Sequence, residues 1–227
     1  MTDTLLQALA LIPALIIAIV FHEVAHGWTA LALGDPTAQE QRRLSFNPIR
    51  HVDPFGTLIL PGLLALTGAP VFGWAKPVPV DKWRLANPRF GMMAVAAAGP
   101  GINLVLAAIG AVVLGIFAGS YTGPVEGMGG FTFMALQYFI MINIFLALFN
   151  LLPIPPFDGS HIVEGLLPPR AARAYEKLRP YGFPLLFLML LVIPWLFPGL
   201  GIIERVVLPP VEWARAHYMA LAIWIAG

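Results

Sequence analysis

The sequence predicts an all-α polytopic membrane protein of about four to six transmembrane helices. A re-entrant or short extra segment and a small extended, β-like segment near the cytoplasmic face complete it. Three observations predict this class. Of 227 residues, 59% are hydrophobic and only 11% are charged, against about 25% charged in an ordinary soluble domain. The mean hydropathy is +0.81. A soluble fold of this size cannot hide that much apolar surface, because much of any small protein's surface must face water. Third, the few charges fall between long apolar runs. The length suggests a single membrane-embedded domain, 1–227, with a core over about 4–165 and C-terminal helices within 180–227. A net charge of +1 offers no field to nucleic acid, and none is expected as a partner. The absence of cysteine excludes disulfides and thiolate metal ligands.

Four runs approach the roughly 20 residues that a bilayer crossing needs: 4–33, 90–118, 131–152 and 182–198. No basic segment precedes the first run and no small-residue cleavage site follows it, so it is expected to stay as a membrane helix. Gly34-Asp35-Pro36 stops that helix. The run 54–75 is interrupted by Pro61, Gly62, Gly68 and Pro70. Basic residues follow the first helix (Arg42, Arg43, Arg50), the 54–75 run (Lys76, Lys82, Arg84, Arg89) and the 131–152 helix (Arg170, Arg173, Lys177, Arg179). The N-terminal tail and the 119–130 loop contain none. Basic loops favour the cytoplasm. Both flanks of 54–75 then share one side, so that run dips in and returns, with a short kinked span as the alternative. In 71–81, Pro77 and Pro79 alternate with valines, as in an extended edge segment. The tail 200–227 carries Glu204, Arg205, Glu212 and Arg215 and reads as an interfacial helix or a further span.

The sharpest motif is His22-Glu23-Val24-Ala25-His26. On a helix, residues four apart share a face, so both imidazoles can reach one metal ion. Glu23 beside them can accept the proton of an attacking water. Three ionisable residues within an apolar helix are costly there and point to function. A hydrogen-bonded interhelical network is the structural alternative. Catalytic zinc takes three protein ligands, and few candidates for the third exist. Asp158 closes the run 150–158, Asn-Leu-Leu-Pro-Ile-Pro-Pro-Phe-Asp, just past the 131–152 helix, where three prolines hold an irregular turn. An ordinary interfacial aspartate is the alternative. His161 reads as a residue that orients a ligand, as an alternative ligand or as a surface residue at a helix start, while His51 and His217 read as loop and interfacial residues.

With these motifs the chain resembles the site-2 protease family of intramembrane zinc metalloproteases. HEVAH in a first membrane helix and NLLPIPPFDG after a later one carry the resemblance. Ala98-Gly99-Pro100-Gly101-Ile102-Asn103 is similar to the family's Gly-Pro-x-x-Asn motif, and 72–80 to another family segment. The 119–130 loop is too short for a PDZ domain, so the likeness is to the small PDZ-free branch. The resemblance implies one zinc ion per chain on His22, His26 and Asp158, with Glu23 as general base. Asn150 would hold the substrate or the developing oxyanion, which a neutral amide can do without competing for the metal. Asn103 is either functional or an interhelical hydrogen-bonding residue beside close packing at Gly99 and Gly101.

The expected function is hydrolysis of peptide bonds within or near transmembrane segments of membrane proteins. The active site would face the cytoplasmic side of what resembles a prokaryotic plasma membrane. The partners would be the bilayer and transmembrane substrates, whose unwound stretch could pair with 71–81 by strand addition. A catalytically silent relative and a metal transporter are the alternatives; the intact Glu23 argues against the first and the scarcity of further polar residues in the spans against the second.

Overall fold

The computed structural model describes residues 2–67, 73–124, 126–197 and 203–227. Its first helix, α1 (Thr2–Ala32), has 31 residues and is about 45 Å long at 1.5 Å per residue. Gly34 ends it with φ +102°, in the left-handed region that glycine enters without steric cost. The Asp35 N–H donates to Ala30 O at 2.9 Å and the Gly34 N–H to Leu31 O at 3.1 Å, which closes the last turn. The short α2 (Thr37–Glu40) follows.

Asp35 is fully buried. One carboxylate oxygen accepts the Thr37 N–H at 3.0 Å and the Thr37 hydroxyl, and the other accepts the Asp81 N–H at 2.7 Å. Burial opposes the charge, but these donors and the Arg84 guanidinium outweigh it and hold the carboxyl below its ordinary range. A buried anion is tolerable only when paired and hydrogen-bonded in this way.

A wide helical turn, Pro54–Ile59, is capped by Asp53 and runs into α3 (Leu60–Thr67). The chain is back beside its starting point by residue 74: the Trp74 N–H donates to Gly56 O at 3.1 Å and the Thr57 hydroxyl to Trp74 O at 2.9 Å. Gly56 is required there, because a Cβ would overlap the Trp74 indole. The two flanks of the 54–75 run thus meet, while its residues 68–72 lie outside the described residues.

The described part of the β-like segment expected over 71–81, residues 73–81, is not a strand, and no strand occurs among the described residues. It is a strap lying across the end of α1. Its amides at 74, 76, 78 and 81 donate to Gly56 O, His51 O, the Glu23 carboxylate and the Asp35 carboxylate. Pro77 and Pro79 have no N–H to give. Four of its donors go to loop carbonyls and side chains and two positions have none, so no ladder forms along it among the described residues.

Two long helices form the body with α1: α4 (Pro88–Ser120), capped by Asn87, and α5 (Gly127–Asn150). Beyond them come α6 (Asp158–Leu166), α7 (Pro169–Glu176), and α8 (Gly182–Phe187), which continues through a wide turn into α9 (Ile193–Leu196). The last helix is α10 (Leu208–Ala226). Its Val211, Ala214 and Ala222 pack with Ala107, Ala111 and Leu114 of α4 and Ile140 and Ile144 of α5.

Among the described residues, four stretches are long and apolar enough to cross a membrane: Thr4–Ala32, Pro88–Ser120, Gly127–Asn150 and Pro169–Leu196. They correspond to the four expected runs, except that the last starts earlier, in α7, and residue 198 lies outside the described residues. Their outer faces carry large apolar side chains, among them Leu9, Ile12, Val105, Ile109 and Ile116, a surface suited to lipid rather than water. Replacing Asp35 by Ala removes the anchor shared by α2 and the strap and leaves a buried amide unpaired. It should cost about 3 kcal/mol and lower the thermal unfolding temperature of the detergent-solubilised protein.

Candidate metal centre

His22 and His26 stand one turn apart on α1, their rings edge to face with centroids 4.6 Å apart. Asp158, the first residue of α6, reaches both: its Oδ2 is 3.0 Å from His22 Nε2 and 3.3 Å from His26 Nε2. Ligand atoms from all three residues lie within 4.8 Å of one another. A tetrahedral zinc site with bonds of 2.0–2.1 Å separates its ligand atoms by about 3.4 Å. The donor set, two imidazole nitrogens and a carboxylate oxygen, is one that zinc accepts.

The opposite ring nitrogens strengthen the fit. Asn103 Nδ2 lies 3.1 Å from Ala18 O and 2.8 Å from Asn143 Oδ1, and Asn143 Nδ2 donates to Phe139 O at 2.8 Å. Carbonyls accept only, which fixes both amides, so Asn103 Oδ1 must face His22. His22 Nδ1 therefore carries the proton and donates to Asn103 Oδ1 at 2.6 Å. His26 Nδ1 likewise donates to Val95 O at 2.7 Å. When neutral, each histidine is thereby held in the tautomer that leaves Nε2, the nitrogen facing Asp158, to take a metal ion. Asn103 and Asn143 are fully buried, so this relay across α1, α4 and α5 is sealed from solvent.

Close approach of α4 makes these contacts possible. A Cβ on Gly99 would come within 2.5 Å of the His26 ring and 2.6 Å of the His22 ring. Gly101 meets nothing within 4 Å, so the close packing belongs to Gly99 alone. Pro100 next to it leaves the Ala96 carbonyl without its helical donor, loosening α4 beside the carbonyl that receives His26. A Cβ on Gly159 would strike the Leu151 and Leu152 carbonyls, so the turn presenting Asp158 also closes on bare backbone.

Glu23 is partly buried, and its Oε2 accepts the Val78 N–H of the strap at 2.7 Å. Its second oxygen makes no hydrogen bond among the described residues. Gly27 lets the strap approach, since a Cβ there would lie 2.9 Å from Val78. The Asn150 amide donates to Leu146 O of its own helix at 2.9 Å, and no hydrogen bond joins it to the triad among the described residues. His161 stands apart from the triad and accepts from Arg179 at 2.9 Å. Burial and that guanidinium push the imidazole down to about 4. His51 is buried in its loop, 2.7 Å from Ser45 O, and His217 lies exposed on α10. Sequence reasoning left Asn103 undecided and gave Asn143 no role at the site. A lone amide in an apolar span was the available signal for Asn143.

Two outcomes follow for this site. Gly99→Ala should strip zinc from the purified protein while Gly101→Ala leaves the zinc content unchanged, read by elemental mass spectrometry. His161 is neutral when folded but gains a proton near pH 6.5 when unfolded. Its contribution is complete above that pH and falls away towards pH 4. Melting curves of His161→Gln should therefore lose less stability than wild type as pH drops from 6.5 to 4.

The model of peptidase family M50 matches residues 120–193. The chain is 41% identical over 187 residues to YwhC of Bacillus subtilis (strain 168), named as a zinc metalloprotease, with 81% of this chain and 80% of that protein covered. Rip2 of Mycolicibacterium smegmatis, also named as a zinc metalloprotease, is 29% identical over 188 residues, which cover 80% of this chain and 68% of Rip2. For Rip2 of Mycobacterium tuberculosis (strain H37Rv) the figures are 29% over 203 residues, 84% and 73%. No solved structure matches the chain. Identity of 41% across four-fifths of both chains establishes descent as well as likeness: the protein belongs to peptidase family M50, the site-2 protease family, and is a multi-pass membrane metalloprotease.

Proposed function

We propose that the chain is a single membrane-embedded domain that hydrolyses peptide bonds within or near transmembrane segments of other membrane proteins. One zinc ion would be held by His22, His26 and Asp158. The observation that carries this reading is the approach of the Asp158 carboxylate, at 3.0 and 3.3 Å, to two imidazoles on a helix apolar enough to span a bilayer. A zinc ion bound there supplies Lewis acidity, polarising the scissile carbonyl and acidifying the attacking water.

The chain's own residues do the rest. Glu23 takes the water's proton on its free oxygen while the Val78 amide fixes the other, and then passes the proton to the leaving nitrogen. Asn103 and Val95 keep both ligating histidines in register. The Asn150 amide, once rotated away from the Leu146 carbonyl, donates to the developing oxyanion. A helical substrate has its carbonyls hydrogen-bonded and must unwind first. The strap's amides at 74, 76 and 78 are taken and Pro77 and Pro79 have none, so an unwound substrate would pair with the opposite edge through the Ala75 amide and the carbonyls there.

Entry of water from the cytoplasmic side is supported by the basic residues. The ligand-bearing end of α1 leads directly to Arg42 and Arg43, and the neighbouring end of α4 carries Arg89. The 54–75 stretch would dip into the same leaflet, and a prokaryotic plasma membrane suits the whole.

Purified protein should contain about one zinc per chain, as three protein ligands and an open position imply. Asp158→Ala should lose it. Glu23→Gln should keep zinc yet cut a transmembrane substrate about 10²–10⁴-fold more slowly, the usual worth of a general base. Zinc retained by Asp158→Ala would overturn the ligand set, and undiminished cleavage by Glu23→Gln would overturn the mechanism.

A further inference from the structure

A cleft of about 300 Å³ opens close to the metal centre, and two helices bring it there independently. On α6, His161 lines the cleft and follows Asp158 by three positions. On α4, Met92 lines it and precedes Val95, whose carbonyl receives His26, by three positions. Three residues are just under one helical turn, a rise of about 5 Å. A third wall, Lys82 and Trp83, is the direct continuation of the strap. Four positions along the chain separate Lys82 from Val78, whose amide holds Glu23.

The charges of the cleft do not cancel. Its two carboxylates are already matched. Glu176 pairs with Lys82 at 2.7 Å, and Glu164 pairs with Arg179, which stands behind the lining. The His161 imidazole is neutral at pH 7. Two guanidiniums are left over. Arg89 spends Nε on Gly165 O at 3.0 Å and Nη2 on Leu167 O, both uncharged acceptors. Arg173 is exposed on α7 and makes no ion pair among the described residues. The excess is about two positive charges in one concave space, an arrangement that favours a carboxylate over a neutral or basic group.

We propose that this cleft receives an acidic side chain of the substrate, about four residues from the bond that is cut. The inference rests on the hydrolase reading above and names which membrane proteins that site would prefer. A substrate stretch paired along the strap is extended, at about 3.3 Å per residue. The residue beside Val78 lies at Glu23, where the bond is attacked, and the residue beside Lys82 enters the cleft. Continuity with the strap and nearness to the triad select a peptide as the occupant. An anionic phospholipid headgroup is the other source of such charge at a membrane surface, and the test separates the two.

Full-length Glu23→Gln protein in phosphatidylcholine mixed micelles gives a form that binds without cutting. Two dye-labelled model peptides serve as probes. Each has an apolar span of about 20 residues, a Gly-Pro break, and a tail bearing either Asp or Lys about four residues beyond the break. By fluorescence anisotropy the Asp peptide should bind about tenfold tighter than the Lys peptide. Adding Arg173→Glu should remove or reverse that preference, and a reversal also shows that the variant is folded. Arg170→Glu, exposed on the same helix but outside the cleft, should leave the preference intact. Replacing phosphatidylcholine by phosphatidylglycerol should also leave it intact. Equal affinities, no binding of either peptide, or a preference that survives Arg173→Glu would overturn the proposal. A preference abolished by phosphatidylglycerol would overturn it too and give the cleft to a headgroup. Wild type should cut the Asp peptide about four residues from the acid. Binding with the stated preference but no cut would overturn the hydrolase reading alone, because the cleft is read on a variant that cannot cut.

Discussion

The contact between α1 and α4 at Gly99 is the constraint on which the metal centre depends. Both candidate histidines lie on α1, and the groups that fix their tautomers, Asn103 and the Val95 carbonyl, lie on α4. No longer reach is available, because each hydrogen bond spans less than 3 Å and the ring edges rest on the glycine backbone. A polar group in an apolar interior must find a partner, and every polar atom of this chain of contacts has one. Asn143 ends the chain by returning its amide to its own helix, so the arrangement is closed rather than open to lipid.

A second set of contacts governs the candidate base. The strap from 73 to 81 is pinned at one end by Gly56 and His51, in the middle by Arg43, and at the other end by the buried Asp35. Its central amide is thereby delivered to Glu23. One carboxylate outside the membrane thus helps to orient another inside it, through a segment with no regular secondary structure.

Much of this was legible in the sequence. The spacing of His22 and His26 dictates a shared helical face. Asp158 was reachable because an apolar chain offers few other ligands. Helix lengths followed from uninterrupted apolar runs. What was hidden depends on packing. Gly99 and Gly101 look alike in sequence, and only the approach of a neighbouring helix makes one indispensable and the other idle. The alternation of proline and valine rightly suggested non-helical chain at 73–81, but not that its donors would go to carboxylates and loop carbonyls instead of a strand. Asn150 was assigned by resemblance to an oxyanion role, yet its amide is satisfied within its own helix. Side-chain rotamers of that kind leave no trace in residue order.

The proposed ligands are also far apart along the chain: Asp158 follows His22 by 136 positions. A chain made from its N-terminus inserts α1 long before α6 exists. The two histidines must therefore wait in the bilayer, steadied by α4 and α5 as these arrive, before the carboxylate comes within reach. On the proposed ligand set, a metal ion would be loaded only after α6 arrives, and a partly synthesised chain would lack a complete site.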